Sequence, residues 1–178
     1  SVVNLHACTV ASNSAGSGGG IYFNLTDQPQ IEITSCALHS NRAVAGAGGA
    51  ISLGGSLASS ITLRDGLLYN NSARTAGGAI SDKSAFTGSS GLRIVTTCII
   101  SNEAPKGSAV SSAGSLILDG SAVGPGLPVA TPWIQVSSGG QALLDQTVLL
   151  NASEPPNPIC KGLDSVVVQH MSTDMVGL

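Results

Sequence analysis

The sequence predicts an all-β fold, a parallel β-helix wound as a solenoid with coils of roughly 23–31 residues. Three recurrences carry that expectation. The aliphatics Ile21, Ile51, Ile80 and Val110 follow one another at 30, 29 and 30 residues, preceded by GGG, GGA, GGA and GSA. Asn13, Asn41, Asn71 and Asn102 recur at 28, 30 and 31 residues. Alternating apolar openings recur as Ile31-Glu32-Ile33, Ile61-Thr62-Leu63 and Leu92-Arg93-Ile94. One period shared by three markers is the sign of stacked repeats, each too small to bury its own apolar face. Composition agrees with strands. Hydrophobic residues make up 42% of the 178 residues while aromatics are 3% and glycine reaches 23, so the core is aliphatic and helices are disfavoured.

Taken in order, Ser1-Val2-Val3-Asn4-Leu5 reads as the middle of a strand, which suggests a piece of a longer chain. Ile21 and Phe23 then point inward and Asn24 outward. The span 31–51 is the clearest unit: alternation, Cys36, Leu38, Asn41, a small-residue turn, then Gly48-Gly49-Ala50-Ile51. Its stretch Ile33-x-x-Cys36-x-Leu38-x-x-Asn41 also fits a leucine-rich repeat, but GAGGAISLGGS stands where that fold packs a helix or an extended segment. The third and fourth units repeat the pattern through Leu68–Ile80 and Ile99–Val110. After Gly120 the period degrades. Leu116-Ile117-Leu118, Leu143-Leu144 and Val166-Val167-Val168 are expected to continue the core, and Val148-x-x-Asn151 repeats Val10-x-x-Asn13. Pro125, Pro128, Pro132, Pro155, Pro156 and Pro158 mark irregular excursions in the C-terminal third, because proline removes a ladder donor. Trp133 falls in the first excursion and is expected to pack it onto the solenoid wall. The chain is therefore read as a single domain over 1–178, with regular coils over 1–120 and irregular ones over 121–178.

Stacked coils give these residues structural roles. Asn13, Asn41, Asn71 and Asn102 are expected to form a ladder of side-chain amides bonded to the turns and to each other. Gly19, Gly20, Gly48, Gly49, Gly77 and Gly78 suit a bend needing positive φ or close backbone approach. Cys8 and Cys36 share one register, which Gly66 continues; Cys98 lies two coils from Cys36 and is too distant to bridge to it, and Cys160 is placed to clip a proline-rich loop. The four cysteines read equally as buried small apolar residues or as disulfide partners, and their spacing fits no zinc site. Sequons at Asn24, Asn70 and Asn151 suit a secreted route.

The glycine and asparagine motifs carry a resemblance. GGGI at Gly18–Ile21 and GGAI at Gly48–Ile51 and Gly77–Ile80 each follow an aliphatic-x-x-Asn element: Val10–Asn13, Leu38–Asn41 and Leu68–Asn71. Together they resemble the GGAI and FxxN repeats of the polymorphic outer membrane proteins, over roughly residues 4–111. That resemblance implies a right-handed parallel β-helix, extracellular or cell-surface exposure, and a role in adhesion or surface structure. The chain departs from it where every copy puts an aliphatic in the aromatic position of FxxN.

The expected function is a non-catalytic structural or adhesive β-helix module of a larger extracellular protein, with no cofactor and no metal. Its expected partners are other segments of the parent protein, surface-assembly proteins and glycans. A net charge of −3 with scattered basic residues does not suit nucleic acid, and no apolar run has the length of a membrane span. The alternative is a pectin-lyase-like polysaccharide lyase or hydrolase, which needs converging carboxylates. Glu32, Asp65 and Asp119 fall in different registers, the nearest approach being Asp65 with Arg64 and Arg93; His6, His39 and His170 are equally scattered. A second alternative, an ice-binding solenoid, needs outward ranks of threonine. Thr9, Thr34, Thr62, Thr96 and Thr97 mostly adjoin apolar positions instead.

Overall fold

The computed structural model describes residues 1–25, 29–55, 60–83, 91–124, 132–137 and 141–149. Among them every helix or strand element is a strand, and every pairing is parallel. The molecule is a parallel β-solenoid whose coils lay equivalent strands side by side in four sheets. The first sheet stacks β1 (Val2–His6), β5 (Gln30–Thr34), β9 (Ser60–Arg64), β13 (Gly91–Val95), β16 (Ser115–Asp119) and β19 (Gln141–Asp145). The second stacks β2 (Thr9–Ala11), β6 (Ala37–His39), β10 (Leu67–Tyr69), β14 (Cys98–Ile100), β17 (Ala122–Val123) and β20 (Val148–Leu149). A short third sheet joins β3 (Ser14–Ala15), β7 (Arg42–Ala43) and β11 (Ser72–Ala73). The fourth stacks β4 (Ile21–Leu25), β8 (Ile51–Gly55), β12 (Ile80–Asp82), β15 (Val110–Ser112) and β18 (Ile134–Val136).

Side chains alternate across each strand, so alternate files of each sheet face inward and like stacks on like. Val3, Ile31, Ile61, Leu92 and Leu116 form one inward file, and Leu5, Ile33, Leu63, Ile94 and Leu118 the next. Ile21, Ile51, Ile80, Val110 and Ile134 line the fourth sheet in one register, and Val10, Leu38, Leu68, Ile99 and Val123 line the second. These files merge into one core, which tapers at the first coil: Val3, Leu5, Val10, Ile21 and Phe23 are only partly buried.

Each coil turns sharply where one residue takes a left-handed conformation. Ala7, Ser35, Asp65, Thr96, Gly120 and Gln146 occupy one such corner with φ between 44° and 55°. Ser12, Ser40, Asn70 and Ser101 occupy a second, and Gly18, Gly48, Gly77 and Gly107 the third. Only the third demands glycine. A Cβ on Gly48 would lie 2.2 Å from the Ile51 carbonyl oxygen, whereas the other corners tolerate side chains. The following glycine has a separate reason: a Cβ on Gly49 would meet the Gly78 oxygen of the next coil at 2.1 Å.

Two expectations change and a third is sharpened. In the first coil the positive-φ turn glycine is Gly18, while Gly19 and Gly20 are places of close backbone approach, where a Cβ would lie 2.5 Å from the Gly49 oxygen and 2.9 Å from the Ala50 oxygen respectively. Trp133 belongs to the wall: its carbonyl accepts the Ala109 and Val110 amides, and Ile134 pairs with Val110. Ile134 follows Val123 by 11 residues, as Val110 follows Ile99, so the coil keeps its length there. Leu143 stands 59% exposed on the outward file while Leu144 packs against the core, since adjacent strand residues face opposite ways. Val166–Val168 lie outside the described residues, as do the prolines from 155 onward.

Candidate functional site

The most developed polar arrangement is the asparagine column at the second corner. The Asn13 amide N–H and Nδ2 both donate to Asn41 Oδ1 at 3.1 Å. Asn41 repeats this to Asn71 Oδ1 at 3.0 and 3.1 Å, and Asn71 to Asn102 Oδ1 at 2.9 and 3.0 Å. The second Nδ2 hydrogen returns to the preceding coil, from Asn41 to the Val10 carbonyl, Asn71 to Leu38 and Asn102 to Leu68. Asn41 and Asn71 therefore spend two donors and two acceptances on their neighbours while wholly buried. Such residues hold the corner together and present no polar atom to a ligand.

The sequence shows the register of a second column only as far as its third position, Gly66. Cys8, Cys36, Gly66, Thr97, Ser121 and Thr147 follow the first corner. The Cys8 amide donates to Cys36 Sγ at 3.3 Å, Gly66 to Thr97 Oγ1 at 3.2 Å, and Thr97 to Ser121 Oγ at 3.2 Å. Each γ-hydrogen returns to the carbonyl two residues back: Cys36 to Thr34, Thr97 to Val95, Ser121 to Asp119, Thr147 to Asp145. Cys8 and Cys36 keep free thiols, whereas Cys98 is disulfide-bonded; Cys160 lies outside the described residues. Burial raises the Cys36 thiol above its ordinary pKa, so it stays protonated and unreactive at neutral pH.

Charged residues are mostly dispersed, an exception being Asp119 and Asp145, which are register partners on β16 and β19. Arg93 pairs with Asp119 at 3.0 Å, on the surface; Asp65 instead accepts from the Thr96 hydroxyl. Glu32, Asp65 and Asp119 stand in separate files, as neighbours of Thr62, Thr96 and Val95 respectively. Asp82, not singled out from sequence, is buried beside Ser112, whose hydroxyl donates to it at 3.0 Å. His6 is exposed, His39 stacks on Tyr69 with centroids 4.7 Å apart, and His170 lies outside the described residues. Among the described residues no three His, Cys, Asp or Glu side chains gather as metal ligands. The middle outward file of the first sheet reads Asn4, Glu32, Thr62, Arg93, Ile117 and Leu143, a mixed rank, and the next reads His6, Thr34, Arg64, Val95, Asp119 and Asp145. On the third side Arg42, Val44, Ser72, Arg74 and Glu103 line a surface trough.

Of the sequons, Asn24 is exposed opposite Gly54, and Asn70 is exposed at a left-handed corner with φ 53°. Asn151 lies outside the described residues. No helix among the described residues is long and apolar enough to cross a membrane. No family model, curated protein or solved structure matches the chain.

Proposed function

We propose that this solenoid is a non-catalytic structural or adhesive module of a larger extracellular or cell-surface protein, of the kind that the polymorphic-outer-membrane-protein-like repeats suggest. The observation that supports it is the first rung. Val3, Leu5, Val10, Ile21 and Phe23 face the interior yet remain only partly buried, and Val2 is 65% exposed. Asn13 donates forward to Asn41, which leaves its Oδ1 facing the direction from which a preceding ladder member would donate. Such a surface matches one more parallel coil carrying aliphatics and asparagine in the same register. The adhesive half of the reading draws on the outer faces, where the trough of Arg42, Arg74 and Glu103 offers mixed charge to protein or glycan. Exposure of Asn24 and Asn70 fits glycan attachment in a secretory route.

The test adds a coil. A designed repeat placed before Ser1, with asparagine one period ahead of Asn13, is expected to raise the melting temperature by several degrees and protect the β1 and β2 amides. No rise would count against a stacking surface. Incubation with pectin and related polysaccharides is the companion assay; release of unsaturated or reducing ends would replace this reading with the polysaccharide enzyme.

A further inference from the structure

The third side of the solenoid, between the second and third corners, collects positive charge on a chain whose net charge is −3. Ser14, Arg42, Ser72 and Glu103 form one outward file there, while Ala43, Ala73 and Ala104 turn inward into a small cluster of their own. Two residues beyond Arg42 and Ser72, Val44 and Arg74 face outward again, and both are exposed. Together they border an open trough of about 570 Å³, in which Ser72 is the small residue between the two arginines. Lys106 stands exposed at the end of the same side. Glu103 is the one carboxylate there among the described residues; Glu32, Asp65, Asp119 and Asp145 belong to the first sheet and its corner, and Asp82 to the fourth sheet. Neither Arg42 nor Arg74 has a hydrogen-bond or ion-pair partner among the described residues, so both guanidiniums keep their full set of donors.

We propose that this trough binds an acidic sugar chain, with carboxylate or sulfate groups held by Arg42 and Arg74 and hydroxyls held by Ser72 and Glu103. The inference rests on the adhesive half of the proposed function and names its ligand. Arg42 and Arg74 lie one rung and two residues apart, which sets their Cα atoms about 8 Å from each other. Two long side chains at that spacing converge on one anion or take anions on neighbouring sugars, and the planar guanidinium fork matches either acid group. Glu103 selects among polyanions. Its carboxylate repels a densely charged chain but accepts hydroxyls, so the trough suits a chain in which acid groups alternate with free hydroxyls. An extended peptide gains less here, because the Arg42, Ser72 and Arg74 amides already donate to Asn13, Asn41 and Ala43 of the preceding coil and leave no backbone edge to pair with.

The test is biolayer interferometry of the intact chain on immobilised hyaluronan, dextran sulfate and dextran oligosaccharides, with a poly-glutamate peptide alongside. Hyaluronan offers carboxylate alone, dextran sulfate offers sulfate alone and dextran neither, so the charged arm that binds identifies the acid group. Binding in at least one charged arm and none to dextran is expected, weakening as salt rises. The double variant Arg42→Gln, Arg74→Gln is expected to lose affinity by at least about tenfold with an unchanged melting temperature. Arg64→Gln, an exposed arginine on the first sheet, is expected to bind as the parent chain does. Absence of binding in both charged arms, or an equal loss in Arg64→Gln, overturns the site. Tighter binding of poly-glutamate than of either glycan keeps an adhesive trough but overturns sugar as its ligand. None of these results bears on the added-coil test of the first rung, so the two readings fail separately.

Discussion

Asn71 shows how a single side chain does the work of a turn. It accepts the Asn41 amide and Nδ2 and donates to Leu38 and Asn102, all without solvent. Asn71→Ala strips these bonds and strands partners on both sides, so a loss of about 3–5 kcal/mol is expected by chemical denaturation. Asn13→Ala, at the half-exposed end of the column, should cost under about 1 kcal/mol. A ladder that merely decorates the surface would give equal, small effects. Ser108 presents the opposite case. Its buried Oγ has no partner, and the equivalent positions in earlier coils are Gly19, Gly49 and Gly78. Ser108→Ala is therefore expected to stabilise by about 1 kcal/mol in the same measurement, because an orphaned hydroxyl leaves the interior. The asparagines could be read from sequence because the column keeps one letter. Asp82 could not, since its neighbours in the file are Leu53 and Ser112, and nothing in the linear order announces a buried carboxylate there.

At the scale of the element, the strands are legible for one reason and the corners for another. Inward aliphatics recur with the period, so Ile21, Ile51, Ile80 and Val110 announce the fourth sheet directly. The first corner has no such letter. Ala7, Ser35, Asp65, Thr96, Gly120 and Gln146 share a backbone conformation that none of them advertises. The polar column after that corner was half visible for a related reason: cysteine, threonine and serine are different letters for one chemistry, a short side chain with a hydrogen on its γ atom. Gly66 interrupts this column between Cys36 and Thr97. Its φ is outside the left-handed region, and a Cβ there would make only ordinary contacts at 3.4 Å or more. Gly66→Ser should therefore stabilise by about 1 kcal/mol, by restoring an acceptor for the Cys36 amide and by restricting the unfolded chain. Gly49 is the contrasting glycine. Gly49→Ala drives a methyl into the backbone of the next coil, and a loss of about 3 kcal/mol or outright failure to fold is expected in thermal melts.

For the whole molecule, coil length varies without disturbing the core because the variation sits in the links between sheets, most of it between the fourth and the first. Asp82 to Gly91 is a long link and Ser112 to Ser115 a short one, yet Leu92 and Leu116 still stack in register. Short links shorten the period in the last coils, while the strands continue to Leu149. Function was less legible than fold for a physical reason: a solenoid specifies its stacking through repeated inward residues, whereas recognition lies with outward residues that the repeat does not constrain. The first rung, with its partly buried aliphatics, is the face proposed to stack on another coil. The most direct measurement is a cryo-electron microscopy map of the chain within its native assembly, examined at Val3, Val10, Asn13 and Ile21. The expected result is a further parallel coil in register there, with a side chain donating to Asn13 Oδ1. A solvent-exposed first rung in that assembly would contradict it.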